Sequence, residues 1–258
     1  MQVCFVIRGR LGNAIFRYMA CTILAIKCGY EYSELQGSNS NITDELFNEI
    51  SNNILNEKEV KISINVNMCC FYQHDKIYKK FKKEIINYVN EHPEHIIQTD
   101  GITPGDRLCE TFKMFDIVNT TPEFSKIYKN VLHVRLEDFV THNLYLNVER
   151  IINLLEKDVI NDELCVVCKK PETTFEIDYL NKIKETLINK NIKCIFEHND
   201  VLTDYYICKE AEILICSKST ISWCAAFFST KIKKCFMPDY EETINQTCKR
   251  PIDNTELY

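Results

Sequence analysis

From Val131 onward the chain alternates short apolar runs with longer amphipathic ones: "VLHVRLEDF", "VERIINLLEK", "ELCVVCK", "FEIDYLNKIKETLINKN", "IKCIFE", "VLTDYYICKEA", "EILICS", "TISWCAAFFS" and "KKCFMP". Short apolar runs without polar alternation read as buried strands, and apolar residues at helical spacing read as helices. Strands joined in turn by helices lie parallel. The rhythm therefore predicts an α/β fold with a largely parallel sheet, and "KKCFMP" as its last strand.

The first half carries a looser version of the same pattern. "VCFVI" reads as a strand and "AIFRYMACTILAIKCGY" as the helix after it. "ELFNEISNNIL" reads as a helix, "VKISINVNMCCFY" as a strand, and "KIYKKFKKEIINYVNEH" as a single basic amphipathic helix. His92 and His95 close that helix, where cations suit its dipole. Turn-rich "GITPGDR" and "NTTPEFSKIYKN" follow, so a boundary is expected between His95 and Glu123. The expected domains are 1–120 and 121–258, two α/β units facing a cleft. Ligands favour the C-terminal ends of the strands in such an arrangement.

Composition narrows the function. The chain has 258 residues, 45% of them hydrophobic, which suffices for a full core. A formal net charge of -6 argues against a general nucleic-acid surface. The start, "MQVCFVIRG", lacks the basic and apolar segments of a leader. No run is read as approaching the ~18 apolar residues of a spanning helix. The expected setting is cytoplasmic, with no membrane segment of its own. Most of the 14 cysteines lie in apolar runs, as reduced, buried thiols do. Cys165 and Cys168 have CxxC spacing, but no second pair accompanies them, so a buried strand is the preferred reading.

Three segments at predicted strand ends carry chemistry. In "GRLGN", Gly9 and Gly12 let backbone approach a ligand, and the helix that follows favours an anion. In "LHVRLEDF", His133, Arg135, Glu137 and Asp138 leave a strand together. The Arg135 fork suits two phosphate oxygens, or equally a structural ion pair with Glu137 or Asp138. In "EILICSKSTISWCAAFFS", Ser217, Ser219, Thr220 and Ser222 stand at a helix start. Such hydroxyls can seat a phosphate, cap the helix, or both. Trp223 reads as core.

Together these segments resemble the α-1,2-fucosyltransferase family. The resemblance rests on "GRLGN" with Phe16, on "HVR" with Asp138, and on the serine stretch from Ser217 to Trp223 with Ala225 and Ala226. "FYQHDKIYKKF", "IKCIFEHND" and "DYYICKEAEILICS" match in order between them. The resemblance implies a GT-B-like fold of two Rossmann-like domains facing a cleft. It implies metal-independent, inverting transfer of L-fucose from GDP-fucose to a saccharide hydroxyl, usually galactose through an α-1,2 link. No metal or other cofactor is required, and the sequence contains no Asp-x-Asp.

The resemblance also assigns roles. Arg135 would hold the diphosphate, with His133 and Ser217 beside it, and Ser219, Thr220 and Ser222 would bind phosphate oxygens. Gly9, Arg10, Gly12 and Asn13 would close over the donor, and Asp200 would meet the base or ribose. Glu137 and Asp138 are the nearest carboxylates for a general base, and Asp138 matches the family's acidic position. The chain departs from the pattern at Leu136, where a second Arg is usual, and at Glu137, where Gly is usual. Lys218 replaces an Asn, and Ala14 a Gln. Two alternatives stay open: the same fold with another nucleotide-linked 6-deoxy sugar, and an inactive relative that binds a nucleotide or glycan.

Overall fold

The computed structural model describes residues 2–5, 9–32, 40–62, 64–100, 110–120, 127–239 and 248–258. The turn-rich "GITPGDR" and part of "NTTPEFSKIYKN" lie outside these. The chain divides into two units: Met1–Thr120 with Glu241–Cys248, and Thr121–Tyr240 with Lys249–Tyr258.

The first unit contains β1 (Gln2–Phe5), α1 (Leu11–Cys28), β2 (Glu31–Tyr32), β3 (Ser40–Ile42), α2 (Asp44–Leu55) and β4 (Val66–Met68). After these come α3 (Asp75–Lys80), α4 (Lys82–Glu91), β5 (Ile96–Gln98), β6 (Thr111–Lys113) and α5 (Met114–Asn119). Four strands form a parallel sheet in the order β2-β1-β4-β3. β5 and β6 pair antiparallel apart from it. α1 is free of Pro, and it stops where Gly29 adopts φ 67, a left-handed cap that returns its N–H to Leu24 O. By length and hydropathy α1 passes the test for a membrane span, which amends the expectation of no such run; yet 72% of it is buried inside the fold, as a core helix is.

Two expected elements are shorter or split. The strand expected over 60–72 pairs only at Val66–Met68. The helix expected over 76–92 breaks at Phe81, whose backbone (φ -110, ψ 22) leaves the helical region. Phe81 turns its ring inward there, and Lys27 Nζ sits 4.1 Å from the ring centroid.

The second unit contains β7 (Asn130–His133), α6 (Glu137–Thr141), α7 (Val148–Leu155), β8 (Glu163–Val167), α8 (Thr174–Asn189) and β9 (Lys193–Glu197). It continues with α9 (Val201–Glu210), β10 (Ile213–Ile215), α10 (Thr220–Phe228), β11 (Lys234–Met237) and β12 (Thr255–Leu257). β12 follows "KKCFMP", so that run is the penultimate strand and not the last. All six strands are parallel, in the order β12-β11-β10-β7-β8-β9. The chain steps outward from β7 through β8 to β9, then returns to lay β10 on the other side of β7. That order reverses between β7 and β10, as it does in doubly wound nucleotide-binding sheets.

The core of this unit explains its register. Leu132 pairs with Val166 on one side and Ile215 on the other. Those residues and Phe236 belong to one apolar cluster with Ile151 of α7 and with Ile183 and Leu187 of α8. A one-residue slip would move each of them to the opposite face. α8 begins with a capping box in which Thr173 and Glu176 satisfy each other's backbone.

Candidate functional site

The reversal between β7 and β10 brings two of the three motifs side by side. His133 ends β7, and its Nδ1 lies 3.3 Å from the Ser217 hydroxyl, two residues beyond β10. Both side chains are buried. Burial, reinforced by the Arg135 charge, pushes His133 down to about 3, so the ring is neutral at physiological pH. From below, Tyr258 donates its hydroxyl to Cys216 O at 2.7 Å, and Arg150 donates to Tyr258 O. The chain end therefore holds the segment that carries Ser217.

Past His133, Arg135 extends over the strand end with its side chain 12% exposed. Its Nη2 and Nε donate to Asp138 Oδ1 at 2.9 and 3.2 Å. Glu137 Oε2 stands 3.9 Å from the same Nη2. The ion-pair reading of Arg135 thus holds here, with Asp138 as the main partner. The pair engages Nε and Nη2, and the guanidinium lies 5.3 Å from the Phe139 ring centroid.

Leu136 and Glu137 have distinct structural explanations. Leu136 is buried in the apolar cluster, a place that would not suit a second arginine. Glu137 adopts φ 38, in the left-handed region that favours glycine. A glutamate there carries backbone strain while holding a carboxylate beside Arg135.

In the serine stretch, each hydroxyl has a different place. Ser219 is the N-cap residue of α10, extended at φ -140, and its side chain makes no capping bond. Thr220 is the first helical residue. Lys218 is half-buried between Ser217 and Ser219. Ser222, expected to bind a phosphate oxygen, is fully buried, and its hydroxyl donates to Ser219 O at 3.1 Å. Its effect is to stiffen the first turn of the helix. Asp200, expected to meet the base or ribose, caps the helix that follows it. Its Oδ1 accepts from Leu202 N and Thr203 N at 3.0 and 2.9 Å, and its Oδ2 from the Thr203 hydroxyl at 2.8 Å. Burial raises this carboxyl, but those bonds outweigh it and hold it below the usual carboxylate range. Asp200 is the N-cap of α9.

A residue that sequence reasoning passed over lies one turn further on. Asp204 of α9 is pushed up to about 7, first by burial and then by the charges of Asp200 and Glu137, against the hydrogen bond from Asn199. "NDVLTDYY" offers no cue to this, because burial of that helix face depends on tertiary packing. Between 3.8 and about 7 the folded protein holds a proton that the unfolded chain releases, so stability falls as pH rises through that window. His133 acts oppositely: between 6.5 and about 3 the unfolded chain takes up a proton that the native ring refuses, so stability falls as pH drops. Asp204→Asn is expected to raise stability at neutral pH by about 1–3 kcal/mol, allowing for partial exposure, and to flatten the slope above pH 5. Urea unfolding across pH measures both.

In the first unit, "GRLGN" also sits where two neighbouring strands end. Gly9 adopts φ 75, and Arg10 is the N-cap of α1. Gly12 is buried in the first turn, and Asn13 accepts from Gln73 Nε2 at 3.4 Å, linking the turn to the segment after β4. Asp100 clamps Gly9: its Oδ2 accepts from Gly9 N at 2.7 Å, and its own N–H donates to Gly9 O at 3.1 Å. A Cβ at Gly9 would lie 3.1 Å from Asn13 Nδ2. Gly9→Ala is therefore expected to cost about 1–2 kcal/mol in urea unfolding, from the left-handed backbone and the displaced Asn13.

Among the described cysteines no disulfide is formed. Cys165 and Cys168 are both buried, and burial pushes each thiol well up. Comparisons with protein-family models, with curated proteins and with solved structures find no match to this chain.

Proposed function

We propose that this chain is a metal-independent inverting glycosyltransferase that moves L-fucose from GDP-fucose to a saccharide hydroxyl, with galactose and an α-1,2 link as the expected acceptor and product. The observation that carries the reading is the 3.3 Å link between His133 and Ser217, which sets the Arg135 segment against the start of α10 where the strand order reverses. A diphosphate there meets a planar cation, the Ser219 and Thr220 hydroxyls and the amides of the first helical turn.

The chemistry asks for such a set. Breaking the sugar–phosphate bond builds negative charge on GDP while the sugar becomes cationic. Fixed donors aimed at the leaving diphosphate stabilise that charge without a metal. Asp138 holds the Arg135 fork by Nε and Nη2, and this reading assigns Nη1 to the phosphate. His133 stays neutral and keeps the Ser217 hydroxyl in place. Inversion needs the base on the face of the sugar opposite GDP, so Glu137, the carboxylate farther from the Arg135 guanidinium, is the one assigned the acceptor proton. The GT-B arrangement of the two units belongs to this proposal, and with it the donor-side role of Arg10, Gly12 and Asn13.

One observation favours a second reading, an inactive relative that binds a nucleotide or glycan. Leu136 is buried where the resemblance expects a second arginine, and Arg135 is already engaged by Asp138. The test is incubation with GDP-fucose and terminal galactosides in the presence of a chelator, following GDP release and product anomer. Acceptor-dependent GDP release with an α-linked fucoside supports the first reading. Intact GDP-fucose with every acceptor contradicts it.

A further inference from the structure

The segment His92-Pro93-Glu94-His95, between α4 and β5, gathers three metal-ligating side chains in four residues. One ligand atom from each of His92, Glu94 and His95 lies within 4.8 Å of the other two. Glu94 Oε1 stands 3.6 Å from His92 Nδ1 and 3.9 Å from His95 Nε2. Tetrahedral zinc, bound at about 2.0–2.2 Å to nitrogen and oxygen, needs its donors roughly 3.3–3.6 Å apart. Because a metal lies in the plane of each imidazole that binds it, the His92 ring must also turn out of its stack on His95.

The surroundings fix the backbone of the turn and the His95 ring. His95 N donates to His92 O at 3.1 Å, and Met114 N donates to His95 O at 3.0 Å, which ties the turn to the start of α5. The two imidazoles are stacked, with ring centroids 4.7 Å apart and planes 8° from parallel. Tyr88 packs against His92 at 4.4 Å between centroids. The hydroxyl of Tyr18, a buried residue of α1, lies 3.0 Å from His95 Nδ1 and leaves Nε2 turned toward Glu94. A hydrogen bond to the far nitrogen of a ligating histidine is the usual outer shell of a metal site. The C-terminus of α4, capped by His92, adds a partial negative charge that favours a cation. Without a metal the same cluster is a stack of two histidines that share one carboxylate oxygen.

We propose that His92 Nδ1, Glu94 Oε1 and His95 Nε2 form a binding site for a zinc-class divalent transition metal, which clamps the α4–β5 turn against α1. The site lies in the first unit and does not rest on the donor reading. The test is titration of the metal-stripped full chain with Co2+ alone, read by visible absorbance, which also separates this site from the many cysteines. The expected result is a saturable one-to-one d–d spectrum without a thiolate charge-transfer band, displaced by Zn2+. Glu94→Gln, at an exposed position, and Tyr18→Phe are each expected to weaken Co2+ affinity about 10–100-fold, and the His92→Ala/His95→Ala double variant to abolish the spectrum. Metal-free melting and circular dichroism verify that each variant folds. No saturable spectrum, a thiolate band, or an unchanged spectrum in folded Glu94→Gln and the folded double variant would overturn the proposal.

Discussion

Arg135→Ala is expected to lower fucose transfer by at least about 100-fold and to remove the stabilisation that GDP confers. Losing one preorganised donor to a developing anion costs on that order. Here the loss also leaves the carboxylates of Glu137 and Asp138 beside the leaving diphosphate with their cation gone. The effect on folding should be small, because Asp138 is 38% exposed and water can replace its partner. Isothermal titration with GDP and single-turnover transfer measure the two parts separately. Unchanged GDP affinity in a folded Arg135→Ala protein would remove Arg135 from the donor site.

Trp223→Ala is expected to cost about 3–5 kcal/mol of stability, the largest effect of a single truncation behind the site. Trp223 is 1% exposed in α10 and stacks on Phe227 with ring centroids 5.1 Å apart. Ala225 and Ala226 of the same helix are fully buried too, and alanine has no side chain able to reach into the space. The void would open one turn below Ser219 and Thr220, and the same variant should loosen nucleotide binding. Trp223→Phe keeps the stacking and should cost less than about 1.5 kcal/mol. Urea denaturation of both variants decides; equal, small losses would mean that the helix start is anchored elsewhere.

Much of the second unit was legible in the residues. Its strands and helices follow from apolar runs and helical spacing, and both motifs fall at strand ends as expected. Nothing local in the sequence told which strands are neighbours, and the pairing of β7 with β10 is what joins Arg135 to the serine stretch. The places where reading failed have physical causes. β2, β3, β5 and β6 have only two or three residues each, too few for a periodicity to register. Phe81 breaks a pattern that reads as one helix, because its ring gains more from burial than the helix loses. Ser222 and Asp200 stand at motif positions, and their bonds to local backbone groups are a detail that the motifs alone do not show. Asp204 and the His92–Glu94–His95 cluster went the other way. Burial sets the character of Asp204, and the cluster, though contiguous in sequence, gains its Tyr18 partner from another helix; spacing reveals neither.

The most direct measurement is thermal unfolding of the full chain with GDP, GDP-fucose, UDP and ADP, each with and without a chelator. Nucleotide held by Arg135 and the start of α10, at about 100 times its Kd, should stabilise the protein by about 2.7 kcal/mol. The result predicted is a shift with GDP and GDP-fucose that survives chelation and is absent in Arg135→Ala. A shift with UDP or ADP instead of GDP, or no shift with any nucleotide, would contradict it.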